Sequence, residues 1–318
     1  MTGPVGNHAA RRAFDAALAG GSLHHGWLIA GPEGVGKAAF ARDMAVRLLA
    51  RDGGAASQDE ARALLDAGSH PRFRRLARLP KDDAKPENGL ARSITVDQVR
   101  KLQSLLARTV DPGERRIVLI DSIDDLERSG GNALLKSLEE PPKGTVFLLV
   151  SHVPGRLLPT IRSRCRLLRF AALEDAEVET VLRARLPDAA DAEIAAMVRA
   201  GGGSPGRALA FAGLELAAIE RDLEELAQHG DPANQVRSRL AKTLGAKAAQ
   251  PRYAAFLERV PGFIAEHARQ RRGEALRIAL DAHVAAGNVA GAAIGLSQDA
   301  GATVFEMAGI VARLARTG

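Results

Sequence analysis

The sequence is poor in cysteine and in aromatic residues. Among 318 residues there are one Cys, one Trp and one Tyr, and aromatics make up 3%. A single Cys excludes an internal disulfide framework and a Cys-rich zinc module. So few aromatics argue against a base-stacking platform for nucleic acid. No run of about 18 uncharged apolar residues occurs, so no transmembrane helix is expected. The N-terminal stretch lacks a basic start, an apolar core and a cleavage site, which argues against a secretory signal. Against these absences stand 46% apolar and 26% charged residues. Those are globular values and argue against wholesale disorder. The length suits two or three domains with real cores. A net charge of +6 fits a nucleic-acid or acidic partner. However, Arg supplies most of that charge and Ala is abundant, a bias that genome composition alone produces. The expectation is a soluble intracellular protein.

Two textures divide the chain. Up to about Phe170, the apolar runs Trp27–Ala30, Ile117–Ile120 and Val146–Val150 alternate with amphipathic helices. Such runs suit buried parallel strands, and the alternation predicts a doubly wound α/β domain. After Leu173 an Ala-rich helical pattern takes over. Thr95-Val-Asp-Gln98 reads as a capping box, with Val96, Val99, Leu102 and Leu106 following at helical spacing. Ser204-Pro205 reads as an N-cap and first helical residue, after a helix over about Ala192–Ala200 that ends at Gly201-Gly-Gly203. Another break falls at Gly230-Asp-Pro232. Gly53–Ser57 and Lys81–Gly89 are expected to be flexible loops.

Residues 31–38 read G-P-E-G-V-G-K-A. They fit the phosphate-loop template, with Gly31, Gly34 and Gly36 in the turn and Lys37 after it, except that Ala38 replaces the final Ser or Thr. A strand precedes the loop and a helical pattern (Phe40, Met44, Leu48) follows. Glycines let backbone N–H groups face a phosphate, and the Lys and the helix N-terminus add positive charge. The missing hydroxyl is the group that holds Mg²⁺ in this template, so Mg²⁺ binding is in doubt. The same residues would also serve as a strand-to-helix turn with no ligand. A second gap lies at the end of the run Ile117–Ile120. Asp121 there could orient Mg²⁺ or its water, or simply cap the strand end. Hydrolytic members of this architecture follow that Asp with a Glu; here the residue is Ser122, and the two-residue offset of Asp124 would re-aim its side chain. Two missing parts of a hydrolytic apparatus favour a chain that does not itself hydrolyse ATP.

Three further segments are N-A-L-L-K-S-L-E-E-P-P at 132–142, L-P-T-I-R-S-R-C at 158–165 and G-S-P-G-R-A at 203–208. With His24-His25-Gly26-Trp27 before the phosphate loop, their order and spacing resemble the AAA+ subunits of the bacterial DNA polymerase III clamp loader. The resemblance covers about residues 5–210. It implies a P-loop AAA+ core with a RecA-like parallel sheet at 1–170, a small helical lid at 171–214 and an all-α collar for oligomerisation at 215–318. It implies that Ser163-Arg164-Cys165 is an arginine-finger motif, with Arg164 reaching the γ-phosphate of ATP held by a neighbouring subunit. The alternative is an Arg on a polar strand edge, among Arg162, Arg166 and Arg169. Ser151 matches a first phosphate sensor, or a strand-end Ser bonded to backbone. Arg207 matches a second sensor, or a solvated Arg. The segment from Asn132 to Pro142 reads as a helix, with Leu134, Leu135 and Leu138 inward and Lys136, Glu139 and Glu140 on a solvated face. Cys165 reads as a packing residue.

With neither the loop hydroxyl nor the Glu after Asp121, the pattern most resembles the delta-prime, or stator, branch of that family. Relatives often carry a four-Cys zinc module after the first helix; Ala50–His70 contains no Cys, so no zinc is expected. ATP or ADP is the candidate ligand. The implied partners are the gamma/tau and delta subunits in a hetero-pentamer, the sliding clamp and, indirectly, primed DNA, in the cytoplasm at the replisome, with no membrane. The rival readings are an active gamma/tau-like clamp-loader ATPase and a nucleotide-binding scaffold outside replication. The run Arg72–Arg78 could approach DNA or form a strand edge with exposed Arg. His24 and His25 are expected on a strand, pointing apart, near the nucleotide pocket.

Overall fold

The computed structural model describes residues 5–21, 23–50, 55–82, 84–85, 89–106, 110–111, 113–296 and 299–317. They fall into two compact units, 1–173 and 174–318. The first unit runs α1 (His8–Ala19), β1 (Gly26–Ala30), α2 (Lys37–Leu49), α3 (Ala55–Asp66), β2 (Phe73–Leu76), α4 (Val96–Leu106), β3 (Arg116–Asp121), α5 (Arg128–Glu139), β4 (Thr145–Ser151), α6 (Pro159–Arg162) and β5 (Arg166–Arg169). All strand pairs are parallel, in the order β2-β3-β4-β1-β5. This is the α/β AAA+ layer that the motifs implied.

The three central strands are the three apolar runs, and β4 is buried at every residue. Both edge strands mix two Arg with two apolar residues, Phe73-Arg-Arg-Leu76 and Arg166-Leu-Leu-Arg169, and are only partly buried. The Arg72–Arg78 run is therefore largely an edge strand. Its arginines are committed within the unit: Arg72 to Glu114 (3.3 Å), Arg75 to Asp121 (2.8 Å), Arg78 to Asp125 (3.3 Å), and Arg74 to the His70 and Phe73 carbonyls.

Successive side chains of β1 serve opposite faces. Leu28 and Ala30 join a core with Val118, Ile120, Phe147, Leu149 and the apolar sides of α4 and α5. On the other face the scarce aromatics are concentrated. Phe14 of α1 meets Trp27 edge-on at 5.6 Å and Phe40 of α2 at 6.2 Å, and Phe40 meets Phe170 at 5.2 Å. Full burial of each such ring is worth roughly 1.5–3 kcal/mol. The cluster clamps α1 and α2 on β1 and thereby fixes the loop between β1 and α2.

The capping box at the start of α4 forms: Thr95 N–H donates to Gln98 Oε1 (3.0 Å), and Gln98 N–H donates to Thr95 Oγ1 (3.4 Å). Of the loop expected at 53–57, residues 55–57 begin α3 instead, and 53 and 54 lie outside the described residues. An Ala-Ala start with acids one turn on suits a helix better than a loop. Of the loop expected at 81–89, residues 83 and 86–88 lie outside the described residues.

The second unit is helical throughout its described residues: α7 (Asp175–Arg185), α8 (Asp191–Gly201), α9 (Pro205–Leu209), α10 (Leu216–His229), α11 (Gln235–Leu244), α12 (Gln250–Arg269), α13 (Gly273–Leu296) and α14 (Ala300–Ala312). Gly202, in the left-handed region at φ 54°, follows α8. Ser204 Oγ accepts the Arg207 N–H at the start of α9 (3.2 Å). Arg259 of α12 is buried here between Glu220 of α10 and Glu266. No helix among the described residues is long and apolar enough to cross a membrane.

Candidate functional site

The carboxyl edge of the sheet gathers the loop 31–36, Lys37, Asp121 and Ser151. Two glycines are required there by geometry. A Cβ on Gly31 would stand 2.0 Å from the Phe170 carbonyl oxygen, so only Gly lets the chain turn away from β5. Gly36 sits at φ 92° as the N-cap of α2, a conformation that L side chains avoid. The Gly31 N–H donates to the Ser151 carbonyl (3.2 Å), tying the loop to the end of β4.

Lys37 is 3% exposed. Its Nζ donates to the Gly31 carbonyl (2.7 Å) and also to that of Pro32. Burial lowers its pKa to about 8, against the opposing pull of Asp124, Glu33 and Asp121. The ammonium is thus folded onto the loop's own carbonyls.

Neighbouring groups are committed in the same way. Arg75 of β2 pairs with Asp121, a partner that neither sequence reading of this Asp foresaw. The register explains the contact: Arg75 lies beside Leu119, and Asp121 is two residues further along β3 on the same face. Asp124 caps the end of β4 while acting on the Lys37 charge. Its carboxylate accepts the Ser151 hydroxyl (2.8 Å), the Val153 N–H (3.4 Å) and the His152 N–H. Ser151 is fully buried, and its hydroxyl is bonded to that carboxylate, not to backbone.

The donor set does not fit the hydrolytic ATP–Mg²⁺ pattern. Ala38 offers no hydroxyl, Ser122 offers no carboxylate, and Asp121 already faces a guanidinium. A phosphate could still meet the loop N–H groups, at the price of the Lys37 contacts. Among the described residues no group of three or more His, Cys, Asp or Glu side chains is placed to hold a metal ion. His70 accepts the Arg72 N–H at Nδ1 (3.2 Å).

Arg164 stands at the other edge of the sheet. Its carbonyl lies beside Gly26, the first residue of β1, whereas the phosphate loop leaves the last residue, Ala30. The strand between them spans about 13 Å, longer than an arginine side chain. The Arg164 side chain is a third exposed, and its guanidinium is held by Glu139 (2.7 Å) and by the Thr160 carbonyl (2.9 Å). Glu139, read from sequence as part of a solvated face, is therefore a partner of Arg164. Cys165 is packed under Gly26, and burial pushes its thiol up to about 12, which leaves it protonated and unreactive at neutral pH.

The two histidines also lie at this edge. They precede β1, so strand alternation does not apply, and their rings stack at 4.3 Å instead of pointing apart. They sit at the opposite end of β1 from the phosphate loop. His25 Nε2 donates to the Leu138 carbonyl (3.1 Å). Arg207 belongs to the second unit, at the start of α9. A contact that sequence reading missed is Asn7, whose side-chain amide bonds both the carbonyl (3.3 Å) and the N–H (2.8 Å) of Ala171 and so joins the two ends of the first unit.

Comparison with known proteins follows the same motifs. The family model described as "DNA polymerase III, delta subunit" matches residues 6–174. The DNA polymerase III subunit delta' of Pseudomonas aeruginosa is 39% identical over 200 residues, covering 61% of this chain and 58% of that protein. The subunit delta' of Escherichia coli K12 is 36% identical over 199 residues, covering 62% and 57%. The subunit gamma/tau of Mycobacterium bovis is 31% identical over 209 residues, covering 63% and 34%. Each alignment thus spans less than two thirds of the relative's own length. A match over more than half of this chain, on the unit that carries the phosphate loop and Arg164, makes it a member of the DNA polymerase III delta-subunit family.

Proposed function

We propose that the chain is the delta-prime, or stator, subunit of a DNA polymerase III clamp loader. It supplies Arg164 to ATP held by an adjacent gamma/tau-type subunit while the ring opens a sliding clamp and sets it on primed DNA in the cytoplasm. A planar, permanently charged guanidinium suits a γ-phosphate. The observation that carries the reading is the position of Arg164 at the edge of the sheet opposite its own phosphate loop, partly exposed and out of reach of that loop. A group so placed can serve a phosphate only in trans. The chain's own ATPase is weak or absent, because Lys37, Asp121 and Ser151 are each taken up by internal partners. ATP or ADP could occupy the loop only by displacing Lys37. The helices up to about 214 act as a lid and those beyond as an oligomerising collar.

The test is reconstitution with the gamma/tau and delta subunits and the clamp. Arg164→Ala is expected to leave assembly intact and to reduce DNA-stimulated ATP hydrolysis at least tenfold, since trans-acting arginines are worth about 10³–10⁵ in kcat. Unchanged hydrolysis would end the proposal. The intact Gly31–Lys37 loop and the gamma/tau relative support a second reading, an active clamp-loader ATPase. Robust turnover by the isolated chain, abolished by Lys37→Ala, would establish it instead.

A further inference from the structure

Glu139 is the last residue of α5. A carboxylate there lies at the negative end of the helix dipole, where it is disfavoured, and Glu140 beside it is a second exposed acid. Local helix energetics therefore do not explain an acid at this position, but its tertiary partner does. Arg164 Nη2 lies 2.7 Å from Glu139 Oε1, while Nη1 donates to the Thr160 carbonyl at 2.9 Å and approaches Ser163 Oγ at 3.5 Å.

Both acceptors stand on fixed backbone. Leu138, next to Glu139, is buried in the core, and its carbonyl is held by His25. Thr160 lies in α6, anchored by buried Ile161. A guanidinium has five N–H donors in a rigid fork, so these contacts orient it and still leave donors for an anion. An ion pair this exposed contributes little to stability. What it can do is select one rotamer of a long, flexible side chain before a phosphate arrives.

We propose that Glu139 is the positioning residue for Arg164: with the Thr160 carbonyl it holds the guanidinium in the orientation that meets the neighbouring subunit's γ-phosphate. This rests on the trans role of Arg164 proposed above. Glu139 itself touches no substrate. Losing an exposed pair shifts a rotamer population by up to about fivefold, and that sets the size of the effect.

The experiment uses the reconstituted loader with saturating clamp and primed DNA. Glu139→Ala is expected to lower the kcat for ATP about two- to fivefold, with KM and ring assembly unchanged. Glu139→Gln keeps an acceptor oxygen at the same reach and should recover at least half of the loss. On an Arg164→Ala background, Glu139→Ala should have no further effect, because it acts only through Arg164. A kcat for Glu139→Ala equal to or above the parent's, with Arg164→Ala still defective, overturns the positioning role alone. An added loss on the Arg164→Ala background overturns it too. If Arg164→Ala is itself without effect, the trans role falls and the positioning role falls with it.

Discussion

Lys37 offers the sharpest test of how the phosphate loop is used. Its ammonium is 3% exposed, and its pKa falls from 10.5 to about 8 through burial. A base whose pKa is lower in the folded chain binds its proton more weakly there than in the unfolded chain. The penalty is full below the folded pKa, fades as pH rises from about 8 towards 10.5, and is gone above that. The depression of about 2.5 units corresponds to a penalty of about 3 kcal/mol at pH 7. Lys37→Met removes it, but also removes a charged donor from the Gly31 and Pro32 carbonyls, at about 1.5–3 kcal/mol each. The two effects oppose each other at pH 7, so the change of stability with pH carries the test. At pH 9.5 the penalty has dropped by about 2 kcal/mol, so Lys37→Met should lose about that much stability relative to the parent between pH 7 and pH 9.5. Trp27 is the sole tryptophan, fully buried in β1 just before the loop, so its fluorescence reports unfolding of this unit in urea. A difference that does not change with pH would refute the reasoning.

Two further perturbations follow from buried polar groups. Asp124→Ala strands the Ser151 hydroxyl and two backbone N–H groups at the end of β4, and should cost about 2–4 kcal/mol in the same Trp27 assay; a loss under about 1 kcal/mol would show that water replaces the cap. In the helical unit, Glu220→Ala leaves Arg259, 2% exposed, with Glu266 as its remaining carboxylate, and should cost about 3–5 kcal/mol. The double variant Glu220→Leu/Arg259→Met should lose less than Glu220→Ala alone when unfolding is followed by Tyr253 fluorescence; a larger loss would mean that the pair is net stabilising.

The central strands, the phosphate loop and most helix ends were legible because each is written locally. Continuous apolar runs mark strands buried on both faces, and Thr95, Ser204 and Gly201–Gly203 mark helix termini through their own backbone chemistry. The edge strands were harder, since short half-exposed runs with two Arg in four residues, Phe73–Leu76 and Arg166–Arg169, resemble a solvated segment. At the site, sequence order put forward Lys37, Asp121, Ser151 and Arg164 as candidates. It could not supply their partners. That Arg75 meets Asp121 depends on β2 lying beside β3 in one register, and that Glu139 meets Arg164 depends on the end of α5 reaching the start of β5. Both are long-range consequences of topology. The histidine pair was misread for a simpler reason: strand alternation was applied to two residues that precede the strand.

Strand β1 has the phosphate loop at one end and Arg164 beside the other. If Arg164 serves a neighbour's phosphate as proposed, the contact that does so is not self-complementary, because donor and phosphate site lie at opposite ends of β1. Contacts that join the donor of one chain to the receiver of the next are head-to-tail, and they generate rings or open spirals with a direction. On the trans role proposed for Arg164, a member whose receiving end is filled by its own lysine and arginine would still donate at the other end. Such a chain would mark a terminus: the series of working sites would stop there, and the circle would acquire a first position.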